Sequence, residues 1–176
     1  MKKVIIGLGS KAQIGKDFAA AELRRHFDVQ RIAFADALKD DLRFLFKQNN
    51  LDFDMLISEP EIKKVIRPLL VAYGHTMREF NSDIWVDRAL KNKDLSSQVT
   101  IITDVRYPNE AKRLKELGGY YIDIETSVPP ANDVEALYSP QMREIADAVV
   151  VNNFDGSFIT TLVELINRLL DQDENS

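Results

Sequence analysis

The chain has 176 residues, with 45% hydrophobic and 29% charged side chains, a formal net charge of −5, no cysteine and two histidines. That length fits one domain able to bury a real core without staples, and the residue counts exclude disulfides, thiolate chemistry and a histidine-rich metal site. The acidic balance argues against non-specific nucleic-acid binding, which needs surplus Lys and Arg, and leaves small anions held by local basic clusters.

Short β-branched runs alternate with segments of helical period, which predicts a parallel sheet covered by helices. The first strand is expected at Lys3–Ile6, followed by a glycine-containing loop and a helix whose Ala19, Leu23 and Phe27 recur every four residues. A second strand, Gln30–Phe34, leads into a helix with Leu38, Leu42 and Leu45 on one face and Asp36, Lys39 and Arg43 on the other. The segment from Glu61 to Phe80 carries an apolar stripe of Ile62, Val65, Ile66, Leu69, Leu70 and Tyr73, with a kink or a fresh helix start expected at Pro68. Strands are expected at Val99–Thr103, Tyr120–Ile124 and Ala148–Val151. Residues 126–140, TSVPPANDVEALYSP, resist a regular element and are a candidate lid loop, with a plain surface excursion as the alternative. The last helix carries Phe158, Leu162, Leu165 and Leu169, with Asp155 or Ser157 as its cap, and residues 171–176 form a polar tail. The domain is thus expected over 1–170. With no apolar run long enough for a signal peptide or a bilayer span, a cytoplasmic protein without a membrane partner is expected.

Two phosphate-binding patterns share the loop after the first strand. Gly7-Leu8-Gly9-Ser10-Lys11-Ala12 satisfies the dinucleotide fingerprint, with Asp36 placed to hold a ribose. The other pattern, Gly9, Ser10, Lys11, Ala12, Gln13, Ile14, Gly15, Lys16, Asp17 and Phe18, is a variant P-loop in which Gly15-Lys16 opens an amphipathic helix. Such a loop wraps a β-phosphate in backbone N–H groups, adds the positive end of a helix, and sets a lysine on the β/γ oxygens. Asp104 favours this second register, because a buried strand ending in an acid is how nucleotide phosphotransferases hold hydrated magnesium.

The segments IGLGSKAQIGKDFAA, IAFADALKDDL, RPLLVAYGHTMREFNSDIWVDRAL, IITDVRYPNEAKRLKELGG and ADAVVVNNFDGSFITTLVELI cover most of the chain. They resemble the deoxynucleoside monophosphate kinases of tailed phages, within the P-loop nucleoside-monophosphate kinases. The resemblance implies a three-layer α/β/α domain on a parallel sheet of about five strands, and ATP-dependent, magnesium-dependent phosphorylation of deoxynucleoside 5′-monophosphates in a host cytoplasm. Its expected residues are Lys16 and Arg106 for catalysis and the loop 9–18 for ATP. For the acceptor they are Asp36, Lys39, Arg67, Arg78, Trp85, Arg106, Asn109 and Glu110, with Asp104 and Asp17 for the metal. The chain departs from the family pattern where Phe18 replaces a threonine, where 126–140 lack Arg and Lys, and where Val134-Glu135 replaces a Ser-Glu pair. A non-catalytic nucleotide-binding protein and a dinucleotide-dependent oxidoreductase are the competing readings, and a homodimer is left open.

Overall fold

The expected strands assemble into one parallel sheet in the computed structural model, which describes residues 3–9, 11, 14–91, 95–130 and 133–172. In chain order the elements are β1 (Val4–Gly9), α1 (Lys16–Leu23), β2 (Val29–Ile32), α2 (Phe34–Gln48), α3 (Phe53–Ser58), α4 (Pro60–Phe80) and α5 (Ile84–Lys91). They continue with β3 (Val99–Ile102), α6 (Pro108–Glu116), β4 (Tyr120–Glu125), α7 (Asp133–Ile145), β5 (Ala148–Val151) and α8 (Ser157–Gln172). The chain divides into two compact units, one formed by Met1–Ile32 with Asp94–Ser176 and one by Ala33–Lys93.

The first unit holds the five-stranded sheet, in the order β2-β3-β1-β4-β5. All four pairings are parallel, with Val4 opposite Val99 on β3 and Gly9 opposite Asp123 on β4. Side chains alternate between faces, so Val4, Ile6 and Leu8 of β1 share a core with Ala19 and Leu23 of α1 and Phe158, Leu162 and Ile166 of α8. Leu114 of α6 packs on the opposite face, close to Gly7. The result is a three-layer α/β/α arrangement whose strand ends gather the loops that follow β1, β3 and β4. Among the described residues no helix is long and apolar enough to cross a membrane.

The second unit is helical. Its core gathers Phe34, Leu38 and Leu42 of α2, Phe53 of α3, Ile66 of α4 and Trp85, Val86 and Ala89 of α5. Gly74 lets α2 approach α4, since a Cβ there would lie 2.7 Å from the Leu38 Cδ1. Asp41 ties three helices together, accepting from the Tyr73 hydroxyl at 2.8 Å and from both terminal guanidinium nitrogens of Arg88.

Three expectations change. Residues 133–145 form α7, where a lid loop was expected from 126–140; Met142 is fully buried, and Pro140 lies within the helix. Helix α4 runs through Pro68 to Phe80 and buries only Ile66 and Gly74, leaving Val65, Leu69 and Ile62 exposed. Pro68 is itself exposed, so the Lys64 carbonyl that loses its helical donor lies on a hydrated side. Leu45 is exposed while Leu38 and Leu42 are buried, because the stripe of α2 drifts off the core after two turns.

Candidate functional site

Strand β1 ends at Gly9 and α1 begins at Lys16, and the intervening turn requires its last glycine. Gly15 sits at φ 82°, ψ 16°, a left-handed conformation that side chains with a Cβ rarely adopt. Ile14 is fully buried beside it, and its carbonyl accepts a hydrogen bond at 3.1 Å from the side-chain amide of Asn152, just past β5. Lys11 donates at 3.2 Å to the Val128 carbonyl. Ser10, Ala12 and Gln13, expected in the ATP loop, lie outside the described residues.

Lys16 is the first residue of α1 and is only 7% exposed. Its ammonium donates back to the Lys11 carbonyl. Burial pushes its pKa down to about 8; the nearby charge of Arg106 acts the same way, while Asp104, Glu135 and Asp17 oppose the shift. The charges of Asp104, Arg106, Glu135 and Asp17 thus all act on Lys16, and among them Arg106 and Glu135 are paired at 3.8 Å.

Asp104 and Arg106 arrive there because β3 is paired directly with β1, and both follow the last residue of β3. The backbone of this turn is fixed by Glu110: its Oε2 accepts the Arg106 N–H at 2.8 Å and the Tyr107 N–H at 3.1 Å. Glu110, expected among the acceptor residues, is fully buried at the third position of α6, where it satisfies N–H groups at the helix start. Asn109 is half-buried in the first turn of the same helix. The Arg106 guanidinium reaches Glu135 of α7 at 3.8 Å and keeps 45% of its side-chain surface exposed.

A magnesium site can be tested against these residues. No group of three or more His, Cys, Asp or Glu is placed to hold a metal among the described residues. Magnesium keeps most of its waters and needs only one or two protein carboxylates, so Asp104, half-buried and close enough to act on Lys16, fits. Asp17 is exposed and is held by the Arg31 Nε at 2.8 Å. Phe18 supplies no oxygen; its ring is 54% exposed and lies 6.5 Å from that of Phe158.

The remaining expected acceptor residues belong to the second unit. Asp36 pairs with Lys39 at 3.3 Å. Arg78 is half-buried and donates at 3.2 Å to the Gly74 carbonyl, while Arg67 is exposed beside Pro68 and Val71. Trp85, expected among the acceptor residues, is placed in the core. It is 1% exposed, its indole N–H donates to the Gly74 carbonyl at 3.2 Å, Tyr73 packs at 5.9 Å, and Arg88 covers its ring. The dinucleotide fingerprint also lacks its turn, because Gly7 and Gly9 both lie inside β1. Gly9 is a glycine for packing, since a Cβ there would lie 2.7 Å from the Val105 carbonyl oxygen. Asn152 is not singled out by the sequence reading, and Glu135 enters it only as a departure from the family pattern, with no role at the site.

A lysine-bearing loop between a central parallel strand and its helix, with an acid and an arginine on the neighbouring strand's end, defines a P-loop kinase type of fold. The family model for phosphomevalonate kinase matches residues 8–119, and the chain belongs to that family. A comparison with curated proteins gives no significant match. Among solved structures, the chain is similar to shikimate kinase from Bacteroides thetaiotaomicron at 15% identity and TM-score 0.43, covering 96% of this chain and 98% of that one. It is similar to shikimate kinase from Aquifex aeolicus at 15% identity and TM-score 0.46, covering 94% and 96%.

Proposed function

We propose that this chain transfers the γ-phosphoryl group of ATP to a phosphate monoester, and that the monoester is a deoxynucleoside 5′-monophosphate. The observation that carries the reading is the convergence of Lys16, Asp104 and Arg106 at the end of β1 and β3. Phosphoryl transfer asks a protein mainly for positioning and for positive charge around the moving group. Lys16 would neutralise the β/γ oxygens, with the helix N-terminus and the loop N–H groups beside it. Arg106 would bridge donor and acceptor phosphates, where charge develops on the peripheral oxygens. Asp104 would hold magnesium through its waters, and the ion, when bound, offsets charge on the same oxygens. The substrate choice rests on the resemblance of the five segments, and Asp36, Lys39, Arg67 and Arg78 are proposed to face the acceptor.

A second reading keeps the chemistry and changes the acceptor. The family's name gives phosphomevalonate, which is also a phosphate monoester, so the same cations serve either substrate. ADP release from Mg-ATP, measured with dAMP, dCMP, dGMP, dTMP and phosphomevalonate in parallel, decides between them. Turnover with phosphomevalonate alone overturns the deoxynucleotide assignment. ATP binding without turnover on any of the five supports a non-catalytic nucleotide-binding protein.

A further inference from the structure

Glu135 has no role in the reading above, yet its side chain is 3% exposed on a helix whose neighbouring Asp133 and Val134 face solvent. A carboxylate taken out of water is costly unless it meets positive charge or donors. Here it meets Arg106 at 3.8 Å and acts on Lys16 from the same place. Helix α7 is held at this point by a second contact, the Tyr138 ring packing edge-on to Tyr107 at 5.5 Å, one residue after Arg106. The Ser139 hydroxyl donates at 2.6 Å to the Glu135 carbonyl, fixing the turn that carries the carboxylate. These two contacts of α7 thus fall on adjacent residues, Arg106 and Tyr107, in the turn between β3 and α6, and one of them is the arginine proposed to touch phosphate.

We propose that Glu135 is the positioning residue of Arg106, so that docking of α7 and orientation of the guanidinium on the transferred group are one event. This rests on the P-loop kinase reading. It also accounts for residues 126–140 carrying no Lys or Arg. The segment contributes to the site through an acid that holds an arginine of the scaffold, rather than through a cation of its own. Arg106 presents five donors, and a single carboxylate at 3.8 Å occupies one side of the fork, leaving donors for phosphate.

The test compares wild type, Glu135→Gln, Glu135→Asp, Arg106→Ala and the Arg106→Ala/Glu135→Gln double variant. Nitrogen-15 relaxation of the arginine Nε–H groups, assigned with Arg106→Ala, reads side-chain order directly and needs no substrate. The Arg106 signal is expected to be ordered in wild type, mobile in Glu135→Gln and largely ordered again in Glu135→Asp. Equal mobility in wild type and Glu135→Gln overturns the proposal. With Mg-ATP and the four deoxynucleotides, Glu135→Gln is expected to lower kcat roughly tenfold or more, since small misplacements of a positioned group are costly, with KM for ATP little changed. In the Arg106→Ala background the same substitution should cost nothing further, whereas independent, multiplying losses would show that Glu135 only anchors α7. Calorimetry with Mg-ADP keeps the two levels apart. Wild type that fails to bind it refutes the kinase reading and this inference with it, while normal binding with an unaltered Arg106 refutes the inference alone. Should the glutamine variant fail to fold, the order of Arg106 in wild type and Glu135→Asp still decides: a mobile guanidinium in both overturns the proposal.

Discussion

The side-chain amide of Asn152 donates to the carbonyl of Ile14 at 3.1 Å, joining the end of β5 to the loop that precedes Lys16. The same side chain accepts from the Phe154 N–H at 2.8 Å, and it is almost completely buried. One asparagine therefore fixes the orientation of the Ile14 carbonyl in the loop proposed to bind phosphate. Replacing it with alanine leaves a buried acceptor and a donor unpaired, a loss on the order of 1–3 kcal/mol. Asn152→Ala should lower the melting temperature and weaken ATP binding together. Weakened stability with unchanged ATP affinity would show that the loop holds its shape without this bond.

Lys16→Ala should abolish phosphoryl transfer and leave the protein folded. The lysine is buried with its charge disfavoured, so removing it relieves a desolvation cost while deleting the proposed contact to phosphate. Loss of one such electrostatic contact typically costs ~3–4 kcal/mol of barrier, about two to three decades in rate. Turnover near the wild-type rate in a folded Lys16→Ala protein would remove this lysine from the chemistry.

The lowered pKa of Lys16 gives a proton-linked signature of nucleotide binding. With its pKa at about 8, the lysine is partly neutral in the unbound loop near pH 8.5. Phosphate oxygens favour the charged form, so ADP binding should raise the pKa and take up a fraction of a proton. The uptake should fade below about pH 7, where the free lysine is already charged. The same depression makes the unfolded chain bind more protons than the folded one between about 8 and the ordinary 10.5, so this group's contribution to stability rises with pH there. Calorimetry in two buffers of different ionisation enthalpy measures the uptake at pH 8.5, and Lys16→Met should lose it.

Arg106→Ala should raise KM for the acceptor and lower kcat, with ATP affinity little changed, because the arginine is proposed to lie between the two phosphates. Its exposed, half-open guanidinium makes a purely structural loss small. A fall confined to ATP affinity would assign Arg106 to the donor side.

The sheet and the loop are legible in the sequence because local chemistry dictates them. The β-branched runs form buried central strands, and a lysine after a glycine that must adopt positive φ marks the start of α1. Ala148–Val151 matches β5 residue for residue, and Asp155 accepts from the Ser157 N–H at 2.9 Å, as its capping position suggests. Helix α7 is hidden because Pro129, Pro130 and Pro140 read as loop, while what stabilises the helix is the burial of Met142, a tertiary effect. Asn152 is hidden for a related reason, since its partner lies 138 residues away. The apolar stripe of α4 misleads in the opposite direction: Val65 and Leu69 keep helical spacing without finding a core.

The loss of a hydroxyl at Phe18 is the feature of the loop hardest to reconcile with magnesium chemistry, and the geometry suggests how it is tolerated. Position 18 projects its ring toward Phe158, away from any role as an oxygen donor, and Asp17 is occupied by Arg31. Asp104 remains, at the end of the strand beside β1 and close enough to influence Lys16. Magnesium bound mostly through water needs few protein oxygens, so one well-placed carboxylate can suffice. Asp104→Asn keeps the size of the side chain, removes its charge and turns one acceptor oxygen into a donor, so it should weaken magnesium-dependent turnover at least tenfold, and raise the magnesium concentration needed for half-maximal rate. Phe18→Thr should leave ATP binding intact, because the ring is largely exposed and contributes no contact that a phosphate requires. A magnesium titration of both variants beside wild type distinguishes the two carboxylates and the missing hydroxyl. An unchanged magnesium requirement in Asp104→Asn would move the metal to Asp17, and the Asp17–Arg31 pair would then have to open before catalysis.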